Sequence, residues 1–218
     1  MHFEVLVEDQ SGKKMLDILI PKIIGDDHTF SVKAYKGVGR IPKGLKTSQN
    51  ATKRILLQQL PRLIQGYGRR QAGYGANYRE VVFVVCDLDD KCLKAFRKEL
   101  DALLTSCNPQ PVARFCIAVE EGEAWLLGDL PAVERAYPNA DSAVLGRYRN
   151  DSICGTWELL ADAVYSGGSA SLLQQEWFAA GKEKSRWAEA ITPHMDVHAN
   201  KSPSFNYFKN KLTECTNA

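Results

Sequence analysis

The chain lacks any long apolar run, because no stretch approaches the ~20 residues that are needed to span a lipid bilayer. Its first eight residues lack the basic start and the extended apolar core of a signal peptide, and their composition is typical of a strand. These absences predict a protein that is not inserted in a membrane. We therefore expect it in the cytoplasm.

Cysteine pairs with metal-binding spacing are also absent. None of the six cysteines forms a Cys-x-x-Cys motif, and Cys86 and Cys116 lie inside apolar, strand-like segments. A disulfide framework or a structural zinc site is therefore not expected. Buried, reduced thiols fit a cytoplasmic protein better.

Acidic residues are missing from one long segment. Between Lys33 and Arg79 there are eleven basic residues and no acid, although the net charge of the whole chain is only +2. The remainder must then carry an excess of acids. This separation favours a basic face near an acidic site, which suits a polyanion bridged through a metal ion. The alternative is a solvated helix face with an adjoining loop.

The first 120 residues alternate strand-like and helix-like segments. The pattern predicts strands at 2–8, 29–35, 81–86 and 112–119, helices at 11–24, 50–65 and 89–104, and loops at 37–44 and 66–78. Such alternation is typical of an α/β fold with a mostly parallel sheet flanked by helices.

After residue 119 the pattern becomes helical. It predicts helices at 121–127, 131–137, 157–165, 172–180, 184–191 and 205–212. No linker cleanly divides the chain. We therefore predict a single compact unit, with an α/β core over residues 1–130 and a helical C-terminal extension over residues 131–218.

Two acids directly follow the most apolar strand. Residues 81–86 are short, apolar and rich in β-branched side chains, which is typical of a strand buried on both faces of a parallel sheet. Asp87 and Asp89 then fall at its carboxyl end, where open α/β sheets place their ligand crevices. On an extended chain both carboxylates would point the same way, and Mg²⁺ would relieve their repulsion. The alternative is a set of caps for the next helix, a role that we assign to Asp90.

Another acid, Glu8, ends the first predicted strand. Because the carboxyl ends of adjacent parallel strands converge, Glu8 is expected beside Asp87 and Asp89. Three carboxylates would form an oxygen-ligand site, with Glu8 either a metal ligand or the base that deprotonates water. The alternative is that Asp9 or Ser11 merely caps the following helix and that Glu8 is incidental.

A strand that ends in Glu, a βα alternation and a strand that ends in Asp-x-Asp resemble the TOPRIM domain. That domain is shared by topoisomerases, bacterial primases and the overcoming-lysogenization-defect nucleases. Segments 117–129, 184–191, 193–196 and 202–205 are similar to a bacterial TOPRIM-related family of unknown function. Its members often accompany an ABC-type ATPase gene in phage-defence loci. The chain departs from the TOPRIM pattern at Asp9, where a glycine usually follows the glutamate.

The resemblance implies roles for several residues. Glu8 would be the catalytic glutamate, and Asp87 and Asp89 would be the pair that binds Mg²⁺ or Mn²⁺. Nuclease-type TOPRIM domains add a further acid and a lysine. Glu123, or its neighbours Glu120 and Glu121, would supply the acid as a further metal ligand. Lys184, or else Lys182, would supply the lysine that stabilises charge developing on the phosphate.

The basic, glycine-containing loop at 36–46 and the loop at 66–78, which contains tyrosine and arginine, are the expected contacts to nucleic acid. The predicted nucleic-acid-binding residues are Lys36, Arg40, Lys43, Arg69 and Arg70. The same loops would equally suit an acidic surface of a partner protein.

The resemblance implies a metal-dependent nuclease that cuts DNA or RNA. It would be the effector of an anti-phage system whose partner is an ABC-type ATPase encoded by a neighbouring gene. Two alternatives stay open: a non-catalytic adaptor or sensor subunit that binds the ATPase, and a phosphatase that acts on small phosphate esters. The sequence leaves the oligomeric state open.

Overall fold

The computed structural model describes residues 1–37, 39–42, 55–75, 78–152 and 154–217. Within these residues the strands are β1 (His2–Val7), β2 (Thr29–Ala34), β3 (Glu80–Asp87) and β4 (Ala113–Ala118). They form one parallel sheet in the order β2-β1-β3-β4. The predicted α/β fold with a parallel sheet is confirmed.

Helices connect the strands and then follow the sheet. The connecting helices are α1 (Gln10–Ile24), α2 (Leu56–Ala72) and α3 (Leu93–Thr105). Those after β4 are α4 (Glu123–Leu127), α5 (Leu130–Ala136), α6 (Ser142–Leu145), α7 (Thr156–Val164), α8 (Gly168–Leu173), α9 (Ala179–Ile191) and α10 (Pro203–Thr216), with a 3₁₀ turn at Thr192–His194. No helix in the described part of the chain is both long and apolar enough to cross a membrane.

Both faces of the sheet are covered, so the central strands are buried on each side. Val5 and Phe83 belong to one hydrophobic cluster, which contains α1 and the C-terminal helices. Leu6 and Val84 belong to the opposite cluster, which contains α2 and α3. This double burial explains why residues 81–86 of β3 are all apolar instead of alternating with polar residues.

The C-terminal helices share the core of the sheet. Trp125 of α4 stacks on Phe208 of α10 with ring centroids 5.1 Å apart, and its indole N–H donates to Ser204 at 2.9 Å. α9 and α10 also pack against α1. Residues 131–217 therefore complete one face of the α/β core.

Helix α2 differs most from the prediction. The loop expected at 66–78 is wrong in its first half, because α2 continues through two glycines to Ala72. Glycine weakens a helix by about 1 kcal/mol, but the buried side chains of Ile64 and Tyr67 hold this segment on the sheet. At Gly68 the helix passes so close to the Pro109 carbonyl that an added Cβ would lie 2.0 Å from its oxygen.

The helix predicted at 172–180 is also wrong, because α8 ends at Leu173 and α9 begins only at Ala179. The predicted start of α2, at residues 50–54, lies outside the described residues. The short helix α6 was not predicted, and it begins where the Asp141 carboxylate accepts the N–H groups of Ala143 and Val144.

Candidate active site

The strand order places a topological switch point between β1 and β3. Helix α1, which links β1 to β2, covers one face of the sheet, whereas α3, which links β3 to β4, covers the other. Open α/β sheets bind ligands at such a point, outside the carboxyl ends of the strands. Glu8 directly follows β1 and Asp87 ends β3. The Glu8 carboxylate accepts a hydrogen bond from the Asp87 N–H at 3.3 Å, so the two are neighbours.

A small pocket opens at this switch point, with a cavity volume of about 30 Å³. Its polar lining comprises Glu8, Asp9, Ser11, Asp87, Glu123 and Lys184, and Met15, Trp125 and Leu126 contribute to its apolar wall. The space suffices for a metal ion or about two water molecules but not for a nucleotide. The structure thus brings Glu8, Asp87, Glu123 and Lys184 to one place.

The start of α1 builds one wall of the pocket. Asp9 caps the helix, since its carboxylate accepts the Gly12 N–H at 2.7 Å and the Ser11 hydroxyl at 2.7 Å. Gly12 packs so closely on the end of β1 that a Cβ there would lie 2.6 Å from a methyl carbon of Val7. Asp9 therefore has a structural role at this position, because Asp is a strong N-cap residue.

Helix α9 supplies the lysine of the pocket. The Lys184 ammonium lies 3.1 Å from a carboxylate oxygen of Glu121 and 3.3 Å from one of Glu123. Burial opposes its charge, but Glu123, Glu121 and Asp87 raise the pKa of Lys184 above its ordinary value, so it is a cation at neutral pH. The alternative lysine, Lys182, lines a different surface pocket.

The acids of the site outnumber its lysine, and burial disfavours their charged form. Burial raises the pKa of Asp87 well above its ordinary value, and the nearby Glu8 and Glu123 raise it further. Burial likewise raises the pKa of Glu123, and it raises the pKa of Glu121 to about 7. One Glu121 oxygen is buried without a hydrogen-bond partner among the described residues. A divalent cation would favour the deprotonated form of these carboxylates.

Glu120 performs a structural task outside the pocket. Its carboxylate accepts the N–H of Thr156 at 2.8 Å and also that of Gly155, so it caps the amino end of α7. Of the three candidate acids, Glu123 lines the pocket, Glu121 reaches it through Lys184, and Glu120 anchors α7.

Asp89 is not brought to the pocket. Strand β3 ends at Asp87, and Asp89 has a positive φ of 49°, so the alternation of an extended chain does not reach it. Its carboxylate pairs with the Lys91 ammonium at 2.6 Å. Asp89 lines a different groove, together with Arg40. The prediction that the carboxylates of Asp87 and Asp89 point the same way requires an extended strand through residue 89, but β3 ends at Asp87.

The predicted nucleic-acid contacts lie in different places. Lys36 is exposed. It lies near the carboxyl edge of the sheet, since the N–H of the next residue, Gly37, donates to the Glu8 carbonyl at 3.0 Å. Arg40 is also exposed, whereas Lys43 lies outside the described residues. None of the described basic residues from this loop lines the acidic pocket.

Arg69 and Arg70 lie at the other edge of the sheet, in the last turn of α2. Arg70 contacts the buried carboxylates of Glu4, at 3.4 Å, and of Glu80, to which it donates two hydrogen bonds. Its charge is therefore largely used inside the protein. Arg69 is exposed.

A second group of side chains that could hold a metal was not predicted. His2, Glu4 and Glu80 have ligand atoms within 4.8 Å of one another, and the acidic pocket holds no such group of three among the described residues. The oxygens of Glu4 are already engaged by Ser31, Lys33 and Arg70. The only sequence signal for this cluster is two polar residues that alternate with Phe3 in an otherwise apolar strand.

We found no match to the chain among models of protein families, among characterised proteins or among solved structures.

Proposed function

We propose that the protein is a metal-dependent phosphoesterase that cuts nucleic acid. The observation that carries this proposal is the meeting of Glu8, Asp87, Glu123 and Lys184 in one pocket at the switch point of the sheet. Buried acids around a single lysine, in a crevice of this kind, suit metal-assisted chemistry on a phosphate.

The donor set is of the chemical type that Mg²⁺ or Mn²⁺ prefers, and one or two of the carboxylates of Glu8, Asp87 and Glu123 would bind the ion directly, because the three do not bring oxygens within 4.8 Å of one another. All three offer hard carboxylate oxygens. Their oxygens lie farther apart than those of a site that surrounds the ion with protein ligands. This spacing suits a cation that takes one or two carboxylates and completes its coordination shell with water and substrate phosphate. Such an ion supplies an activated water and neutralises charge on the phosphate.

Lys184 stabilises the charge that develops on the phosphate oxygens. Its ammonium stays protonated because three acids surround it, and Glu121 and Glu123 hold it at the pocket wall. Glu8, which accepts a hydrogen bond from the Asp87 backbone, is the base for the attacking water.

The size of the pocket favours a polymeric substrate. With about 30 Å³ it has room for a metal ion and a water but not for a nucleotide, so the phosphate would approach from its mouth while the attached sugars and bases stay outside, where Lys36 would contact them. All six cysteines are unpaired, which agrees with action in the cytoplasm.

The test is a cleavage assay on plasmid, single-stranded DNA and tRNA with Mg²⁺ or Mn²⁺, with and without the ABC-type ATPase from a neighbouring gene. Glu8→Gln and Asp87→Asn should bind the substrate but lose cleavage, and Lys184→Met should lower it by about 100-fold or more. Lys182→Met is the matched control and should cut like wild type. Wild-type activity in Glu8→Gln and Asp87→Asn, or hydrolysis of p-nitrophenyl phosphate alone, would contradict the proposal.

A second candidate function is that of a subunit which docks on the ATPase. Trp177 is 93% exposed, and Leu173 and Phe178 nearby in the chain are exposed as well. Exposed aromatic side chains of this kind are typical of binding surfaces. Co-purification with the ATPase that is lost in Trp177→Ala, with no cleavage of any nucleic acid by the pair, would favour this role.

A further inference from the structure

A groove runs along α2 on the face of the sheet opposite the acidic pocket. It has a cavity volume of about 450 Å³, within the range of ligand-binding clefts. Its lining consists of Tyr35, which directly follows β2, and of seven residues of α2: Gln59, Arg62, Leu63, Gly66, Tyr67, Arg69 and Arg70. The groove therefore lies between α2 and the end of β2.

The groove is strongly basic. Arg62 and Arg69 are both exposed, and they lie seven residues apart, so they occupy the same face of α2 two turns from each other. Neither forms an ion pair with any described residue, and no acid lines the groove. This distinguishes them from Arg70, which is committed to Glu4 and Glu80.

A buried side chain in the groove wall lacks a partner. Gln59 is only 8% exposed, and its amide nitrogen has no hydrogen-bond partner among the described residues. A buried donor without an acceptor is unfavourable. Gln59 precedes Arg62 by three residues and thus lies on the same face of the helix. The nitrogen itself is covered, so a rotation of the side chain toward the groove would bring this amide to an acceptor oxygen of a ligand.

Space and aromatic surface complete the groove. Between the two arginines lies Gly66, where an added Cβ would meet no atom within 4 Å, so the floor is open at this point. Tyr35 and Tyr67 form part of the wall. An anion flanked by a planar base matches two guanidinium groups, an amide donor and the ring of Tyr35, whereas Tyr67 is buried and Arg70 already lies over its ring.

We infer that this groove binds a phosphodiester of a nucleic-acid backbone, with Arg62 and Arg69 pairing to phosphate oxygens and Gln59 donating to one of them. The choice of nucleic acid as the ligand rests on the proposed function. Because the sheet separates the groove from the acidic pocket, it is a second contact region that holds the polymer away from the cutting site.

The test measures binding, in EDTA, of a fluorescent single-stranded oligonucleotide to the full chain. Arg62→Gln and Arg69→Gln should each weaken binding and each lower the slope of log affinity against log salt by about 0.7. Gln59→Leu should weaken binding without changing that slope. Arg147→Gln removes an exposed arginine elsewhere and should leave both quantities unchanged. Thermal melting of each variant verifies that it is folded.

The outcomes separate this inference from the proposed function. Loss of oligonucleotide binding in Arg62→Gln/Arg69→Gln supports the groove even if no substrate is ever cut. Wild-type oligonucleotide binding by that double variant overturns it, even if Asp87→Asn abolishes cleavage. A further outcome also overturns the inference. If a nucleoside monophosphate or inorganic phosphate binds only when Arg62 and Arg69 are present, while the oligonucleotide binds the double variant normally, the groove is a site for a small free anion.

Discussion

The backbone N–H of Asp89 donates to the backbone carbonyl of Glu120 at 2.9 Å, so the loops that follow β3 and β4 are joined. Both residues have positive φ, 49° for Asp89 and 63° for Glu120, although neither is glycine. Residues with a side chain adopt this region at a cost of about 1–3 kcal/mol unless their surroundings hold them there. The turn directs the Asp89 side chain away from Asp87 and directs the Glu120 side chain to α7.

This geometry predicts that Asp87 and Asp89 differ in metal binding. Asp87→Asn should weaken the affinity for Mn²⁺ by at least about tenfold, because it removes a pocket carboxylate. Asp89→Asn should leave the affinity within about twofold, since its carboxylate faces Lys91. Isothermal titration calorimetry with Mn²⁺ measures both. A loss in Asp89→Asn equal to that in Asp87→Asn would show that the loop turns inward when metal binds.

Glu120 should contribute to stability instead of catalysis. Glu120→Gln retains the shape but removes the charge that accepts two N–H groups at the start of α7, so the free energy of unfolding should fall by about 1–2 kcal/mol. Urea denaturation measures this change. Glu134→Gln, on an exposed turn of α5, is the control and should change stability by less than about 0.5 kcal/mol. Equal stability of the two variants would contradict the capping role.

Two glycines at the pocket should respond differently to alanine. In Gly12→Ala the new methyl would lie 2.6 Å from Val7, so α1 must shift away from β1 and move Asp9 and Glu8. In Gly122→Ala the nearest atoms, of Met15 and Asp87, lie 3.7 and 3.9 Å away, which is ordinary contact. We expect Gly12→Ala to lower stability by about 1–3 kcal/mol and to weaken Mn²⁺ binding, whereas Gly122→Ala retains both.

Calorimetric titration and urea denaturation of the two variants check this prediction. An unchanged Mn²⁺ affinity in Gly12→Ala would show that the start of α1 does not position the ligands.

The sheet was predictable because its strands obey local rules. β1, β3 and β4 are short, mostly apolar segments, β2 alternates apolar and polar residues, and the predicted bounds agree with the observed ones within about two residues. The meeting of Glu8 and Asp87 follows from the same rules, since both end a parallel strand. The strand order, which places a topological switch point between β1 and β3, could not be predicted from the sequence of either strand.

The failures have tertiary causes. Glycine content indicated a loop at 66–78, but burial of Tyr67 and the close approach of Gly68 to Pro109 extend α2 instead. Asp89 leaves the pocket because a long-range hydrogen bond to Glu120 turns the chain. Neither Pro109 nor Glu120 is near its partner in sequence, so local patterns could not reveal these contacts.

The glycines of α2 permit a paired test of that packing. Gly66→Ala should raise the free energy of unfolding by about 0.5–1 kcal/mol, because the site is open and alanine favours the helix. Gly68→Ala should lower it by more than this gain, because its methyl would meet the Pro109 carbonyl. Thermal and urea denaturation measure both changes in stability. Stabilisation by both substitutions would mean that α2 does not pack against the Pro109 carbonyl.

The acidic pocket should make the metal-free protein less stable as the pH rises. Burial raises the pKa of Asp87 and Glu123 and moves that of Glu121 to about 7, so between pH 5 and 7 the folded state binds more protons than the unfolded chain. The free energy of unfolding then falls with rising pH, by up to about 1.4 kcal/mol per pH unit for each such proton. Lys184 does not offset this trend, because its raised pKa stabilises the fold equally at all these pH values.

Urea denaturation in EDTA at pH 5, 6 and 7 measures the slope. Glu121→Gln removes one titrating group of the pocket and should make the slope less steep. Mn²⁺ should stabilise the protein more at pH 7 than at pH 5, because it binds the deprotonated carboxylates. An unchanged slope in Glu121→Gln would contradict this prediction, because it would mean that burial in the pocket does not raise the pKa of Glu121.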